Sequence, residues 1–81
     1  MGEVHVIFFA SLREEVGHSE LSVTASDVEG LLAELKNRLG PGYDVIVRDN
    51  VRMAVNKSLI EGNVALSAGD EVAFLPPVTG G

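Results

Sequence analysis

Residues Ser26 to Gly42 read SDVEGLLAELKNRLGPG, the one stretch of the chain that carries a complete set of helix signals. Ser26 and Glu29 have the S-x-x-E spacing of a capping box, and Asp27 complements the positive end of a helix. Val28, Leu31, Leu32, Leu35 and Leu39 then fall on one helical stripe. Lys36 and Arg38 stand near the negative end, and Gly40-Pro41 stops the helix. This predicts one helix with one buried face, and the rest of the chain must supply the surface that covers it.

Working outward, that surface is a sheet. LSVTA, Leu21 to Ala25, alternates like a half-buried strand and pairs back on an earlier one, VHVIFFA, Val4 to Ala10. Between them LREEVGHSE reads as a turn region in which Gly17 takes a left-handed conformation. Beyond the helix, YDVIVRDN is less regular, VRMAVN from Val51 to Asn56 reads as a strand, and KSLIEGNVAL holds short extended pieces around a turn. DEVAFL closes the fold. One helix covers only one face of such a sheet, so the class is α+β. A β-grasp roll, with the first and last strands side by side at the centre of a mixed sheet, satisfies this order. The expected boundaries are a globular domain over 1–75 and an extended tail over 76–81.

Composition sets limits on function. The chain has 81 residues, no cysteine, six basic and twelve acidic residues, and a net charge of −6. No disulfide, thiolate metal site or cysteine nucleophile is available. The acidic balance argues against nucleic acid and for partners with basic patches. No apolar run reaches the roughly 18 residues of a membrane span, and MGEVHVIFFASLRE reads as a first strand rather than a signal peptide, which places the chain in the cytoplasm.

The first strand is apolar on both parities. Val4, Val6, Phe8 and Ala10 share one face, and His5, Ile7 and Phe9 the other. With Phe8 and Phe74 against the helix, Phe9 and Leu75 face out as an apolar patch of the kind that marks a partner surface. Catalytic constellations are lacking. His5 and His18 have no metal-ligand spacing, and no G-x-S-x-G, H-E-x-x-H or phosphate-cradling loop occurs.

The last stretch, GDEVAFLPPVTGG, points elsewhere. Pro76 and Pro77 lock φ and favour an extended exit, so Val78, Thr79, Gly80 and Gly81 project. Gly80-Gly81 has no Cβ and forms a thin tether able to thread a narrow channel. The α-carboxylate is then the reactive group: ATP activates it as an acyl adenylate, and a sulfur or amine nucleophile displaces AMP.

IFFASLREEVG, the capped helix, MAVNKSLI and above all GDEVAFLPPVTGG together resemble the small subunit of molybdopterin synthase, the MoaD family of ubiquitin-like sulfur carriers, over essentially the whole chain. The resemblance implies that an E1-like enzyme adenylates Gly81 and that a sulfur donor protein converts it to a thiocarboxylate. No cofactor is held stably, and ATP is consumed by the activating enzyme. The tail, with Pro76, Pro77, Val78 and Thr79 as its stalk, inserts into a large subunit that carries the catalytic side chains, in a heterotetramer of two small and two large subunits. There it donates sulfur to cyclic pyranopterin monophosphate to build the molybdopterin dithiolene, two deliveries per product. The small subunit is thus a sulfur-donating component of a sulfurtransferase rather than its catalyst. Phe9 and Leu75 are implied docking residues, with Leu75 standing where relatives often have an aromatic. Arg13 and Lys57 match positions of polar partner contact. Two alternatives use the same fold and glycine: a carrier for thiamine or another thiolation pathway, and a protein modifier that forms an isopeptide with lysine.

Overall fold

The computed structural model describes residues 2–77, and the expected site residues Val78, Thr79, Gly80 and Gly81 lie outside them. Five strands form one mixed sheet among these residues: β1 (Gly2–Phe8), β2 (Glu20–Ala25), β3 (Arg52–Val55), β4 (Ser58–Leu59) and β5 (Glu71–Leu75), in the order β2-β1-β5-β3-β4. β1 and β5 run parallel and hold the interior of the sheet, while β2, β3 and β4 join antiparallel. With one main helix laid across one face, this is the β-grasp roll expected from the order of elements.

The helices are α1 (Ser11–Val16), α2 (Val28–Leu39) and α3 (Tyr43–Ile46). α2 buries Val28, Leu31, Leu35 and Leu39, and Leu32 is half-covered at the edge of the stripe. Its N-cap is Asp27 rather than Ser26. The Gly30 N–H donates to Asp27 Oδ1 at 2.8 Å, and the Glu29 N–H donates to Asn63 Oδ1 at 2.8 Å. The capping box does not form because Asp27 occupies the N3-facing position and a loop residue 34 positions away satisfies the neighbouring donor. Gly40 ends α2, as expected, but the chain continues through a 3-10 turn, Gly40–Gly42, into α3.

The turn region after β1 is also helical. Leu12 and Val16, four apart, are buried on one side of α1, and Gly17 caps it at φ 86° in the left-handed region. β1 stops at Phe8, two residues short of the expected end, because Ala10 turns the chain at φ 49° and leaves the core face exposed to solvent. The core gathers Val4, Val6, Phe8, Val72 and Phe74 from the sheet with Leu12, Leu31, Leu35 and Ile46 from the helices. At its centre the Phe8 and Phe74 rings stack with centroids 5.6 Å apart. At one end Gly2 lies against Ala68, whose backbone occupies the space a Cβ would need.

Candidate functional site

The face of the sheet turned away from α2 is built by strand parity. Register aligns Ile7, Ala73, Ala54 and Leu59 across β1, β5, β3 and β4. The next row holds Leu75 beside Arg52, with Phe9 just past the end of β1, its N–H donating to the Phe74 carbonyl at 3.1 Å. The alanines are small and the residues around them are not. A concavity of about 420 Å³ results, lined by Phe9, Ala54, Leu59, Ala73 and Leu75, with Lys57 and Glu71 on its border.

Phe9 is 40% exposed and Leu59 64% exposed, so the apolar rim stands open to solvent. Phe8 and Phe74, one residue away on the same strands or their ends, are fully buried. The division of faces read from the sequence therefore holds. Leu75 is a partial correction: it is half-buried rather than open, because it stands on a strand flanked on both sides and lies between the alanine row and Pro76. The floor of Ala54 and Ala73 and the rim residue Leu59 are additions of the structure. Ala73 lies two residues before Leu75, so parity alone would have found it. The other two need the strand register.

Local backbone geometry positions these groups. The positive φ of Ala10 bends the chain immediately after Phe9, so the ring stands at the end of β1 instead of continuing along it. Asn56 and Lys57, at φ 50° and 74°, form the two-residue loop of the β3–β4 hairpin between the paired Val55 and Ser58. Asn56 is tied down by donation from its Nδ2 to Asp70 Oδ1 and from the Glu71 N–H to its Oδ1, both 3.0 Å. The Ser67 N–H donates to the other Asp70 oxygen at 2.8 Å. Led by the Ser67 N–H and helped by Asn56, these bonds hold the Asp70 carboxyl below its usual range. The hairpin that carries Lys57 is thereby fixed beside the concavity.

The remaining residues expected at the site are distributed around this face. Arg13, exposed on α1, lines a small recess with Phe9. Pro76 and Pro77 leave β5 half-covered and line a trough with Leu75, Leu59 and Arg52. The outer face and the route to Gly80-Gly81 therefore share a single strand. Among the described residues no group of three or more His, Cys, Asp or Glu could hold a metal ion. His5 instead pairs with Glu20 across β1 and β2 at 3.5 Å. No described helix is long and apolar enough to cross a membrane.

Residues 6–81 match the model of the ThiS family. The chain belongs to the ThiS family. Two relatives, both named molybdopterin synthase sulfur carrier subunit, are similar along nearly their whole length. The one from Escherichia coli (strain K12) is 38% identical over 80 residues, covering 96% of this chain and 99% of its own. The one from Mycobacterium tuberculosis (strain ATCC 25618 / H37Rv) is 36% identical over 85 residues, covering all of both chains. Their names agree with the resemblance read from the sequence. Among solved structures, the small archaeal modifier protein 1 from Methanosarcina acetivorans superposes with a TM-score of 0.85 at 30% identity, covering 100% of this chain and 98% of that one. A subunit in the complex of subunits 1 and 2 of molybdopterin-converting factor from Helicobacter pylori 26695 gives 0.77 at 30% identity, covering 98% and 99%. This ThiS-family chain thus has the ubiquitin-like β-grasp fold of its structural neighbours.

Proposed function

We propose that this protein is the sulfur carrier subunit of a molybdopterin synthase and that the carboxylate of Gly81 is its working group. A carboxylate is a poor acyl donor, and attack of its oxygen on the α-phosphate of ATP, with pyrophosphate leaving, makes it a good one. The persulfide of a donor protein then displaces AMP to form an acyl disulfide, and a thiol reductant cleaves its S–S bond, freeing the donor and leaving the thiocarboxylate. An E1-like enzyme performs the activation, so ATP is a substrate there and no cofactor stays on the carrier. The large subunit accepts the tail and supplies the catalytic side chains, and the sulfur passes to cyclic pyranopterin monophosphate, one atom per carrier, in the cytoplasm.

The observation that carries this reading is the shared strand: β5 contributes Ala73 and Leu75 to the open apolar face and leads directly into Pro76 and Pro77. A partner that covers Phe9 and Leu75 is thereby set to receive the residues that follow. The names of the bacterial relatives support the sulfur chemistry, and the two-subunit complex from Helicobacter pylori supports a large-subunit partner. Gly80 keeps the tether free of side chains, Val78 and Thr79 complete the stalk, and Arg13 and Lys57 border the docking face.

A second reading, favoured by the likeness to an archaeal modifier protein, keeps the same activated glycine and changes the acceptor to a lysine amine. Reconstitution separates the two. With activating enzyme, sulfur donor, ATP and large subunit, the full chain should convert the pterin to the dithiolene, whereas a variant lacking Gly81 should fold, dock and fail. Conversion by the truncated chain, or lysine conjugates in place of dithiolene, would overturn the carrier reading.

A further inference from the structure

Between α2 and the β3–β4 edge the surface does not close. A groove of about 450 Å³ runs there, floored by Val28, Leu32, Val51, Met53 and Ile60. Val28 is buried, but the other four are only partly covered. Glu29, Asp49 and Glu61 stand exposed on the rim, opposed by a single cation, Arg52. One wall is braced: Asn63 accepts from the Glu29 N–H and donates to Asp27 Oδ2 at 3.2 Å, so helix start and loop are locked together. The groove is preformed, and it shares no lining residue with the concavity around Phe9.

Its chemistry narrows the occupant. The floor is aliphatic, and no polar side chain is buried among the described residues, so nothing here converges to orient a small polar metabolite. The carboxylate rim repels phosphate, which rules against nucleotides, nucleic acids and anionic lipid surfaces. The same repulsion, with a net charge of −6 on each chain, opposes a second copy. A cationic protein segment satisfies both features: aliphatic side chains cover the floor, and flanking lysine or arginine meets the rim.

We propose that the groove between α2 and β3 docks an apolar segment flanked by basic residues, contributed by another protein. The assignment does not depend on the chemistry of Gly81. On the carrier reading it has a use, because a protein passed from an activating to a receiving partner gains from a second hold beyond the Phe9 concavity, which this groove adjoins only through Asp49 and Arg52 at the trough of Pro76 and Pro77.

The test is a titration of the full-length, 15N-labelled chain with a synthetic peptide, Gly-Ser-Arg-Leu-Leu-Arg-Ser-Gly, followed by amide shifts. The expected shifts cluster at 28–32, 49–53 and 60–63, with a dissociation constant of about 1 mM or tighter that weakens as salt is added. A peptide with Glu in place of both Arg should not bind. Asp49→Lys combined with Glu61→Lys, both exposed positions, should weaken binding about fivefold or more, and Phe9→Ala should leave it unchanged. Absence of clustered shifts at about 1 mM peptide, shifts centred on Phe9 and Leu75, or equal binding of the Glu peptide would each overturn the assignment.

Discussion

Phe74→Ala tests the division of the sheet into a core face and a docking face. Phe74 is fully buried and stacked on Phe8. A buried phenylalanine hides about 150–250 Å², which at roughly 25 cal/mol per Å² corresponds to about 4–6 kcal/mol of gross apolar burial. Part of that remains with alanine and part of the cavity collapses, so the expected loss is roughly 3–5 kcal/mol. A chain of 81 residues has in total about 4–12 kcal/mol. The variant should therefore melt at least about 12 °C lower, taking about 4 °C per kcal/mol, or be unfolded at room temperature. Thermal denaturation followed by far-UV circular dichroism measures this, with Leu75→Ala as control. Leu75 is half-buried on the opposite face and should cost much less. A Phe74→Ala variant within a few degrees of the wild type, beside a Leu75→Ala variant that unfolds, would mean that the faces are assigned the wrong way round.

Other consequences follow from single features. Phe9→Ala should keep its melting temperature while losing about 2 kcal/mol of affinity for the large subunit by calorimetry, as expected for a central aromatic anchor. Asp27 and Asp70 are both held below the ordinary carboxyl value of 3.8 by hydrogen bonds, first from the Gly30 and Ser67 N–H groups respectively. Their stabilisation is present above that value and is lost as pH falls through the lower folded values, so an acid titration of stability should flatten at the low-pH end when both are changed to Asn. Gly2→Val should destabilise strongly in a thermal melt, because the backbone of Ala68 occupies the space of its Cβ; unchanged melting would show that the 66–70 loop can move away.

The sequence was most legible where local pattern and long-range structure agree. The α2 stripe, the parity of Phe8 against Phe9 and the first and last strands side by side could all be argued from periodicity and chain order, and the structure has them; that this pair runs parallel is added by the structure. The cap of α2 falls on Asp27 rather than Ser26, and the second bond at this helix start joins Glu29 to Asn63, 34 positions away and beyond the reach of a local pattern. The short helices α1 and α3 span six and four residues, too few for a periodic signal to separate from a turn. The concavity beside Phe9 was half-visible: parity shows which side Leu75 faces, but only the register of β3 on β5 sets Ala54 beside Ala73 and makes the surface hollow. The groove under Glu29 and Glu61 gave no sequence signal, since its lining comes from three separate segments.

The proposed chemistry rests on one carboxylate, and intact mass spectrometry reads its state. The protein is incubated with its activating enzyme, ATP and a sulfur source, then weighed whole beside a variant lacking Gly81. The full chain should gain the mass difference of one oxygen replaced by one sulfur, located to Gly81 by fragmentation, and the truncated chain should gain nothing. An unchanged full-length mass under conditions where the enzyme consumes ATP, or the same gain on the truncated chain, would contradict this chemistry.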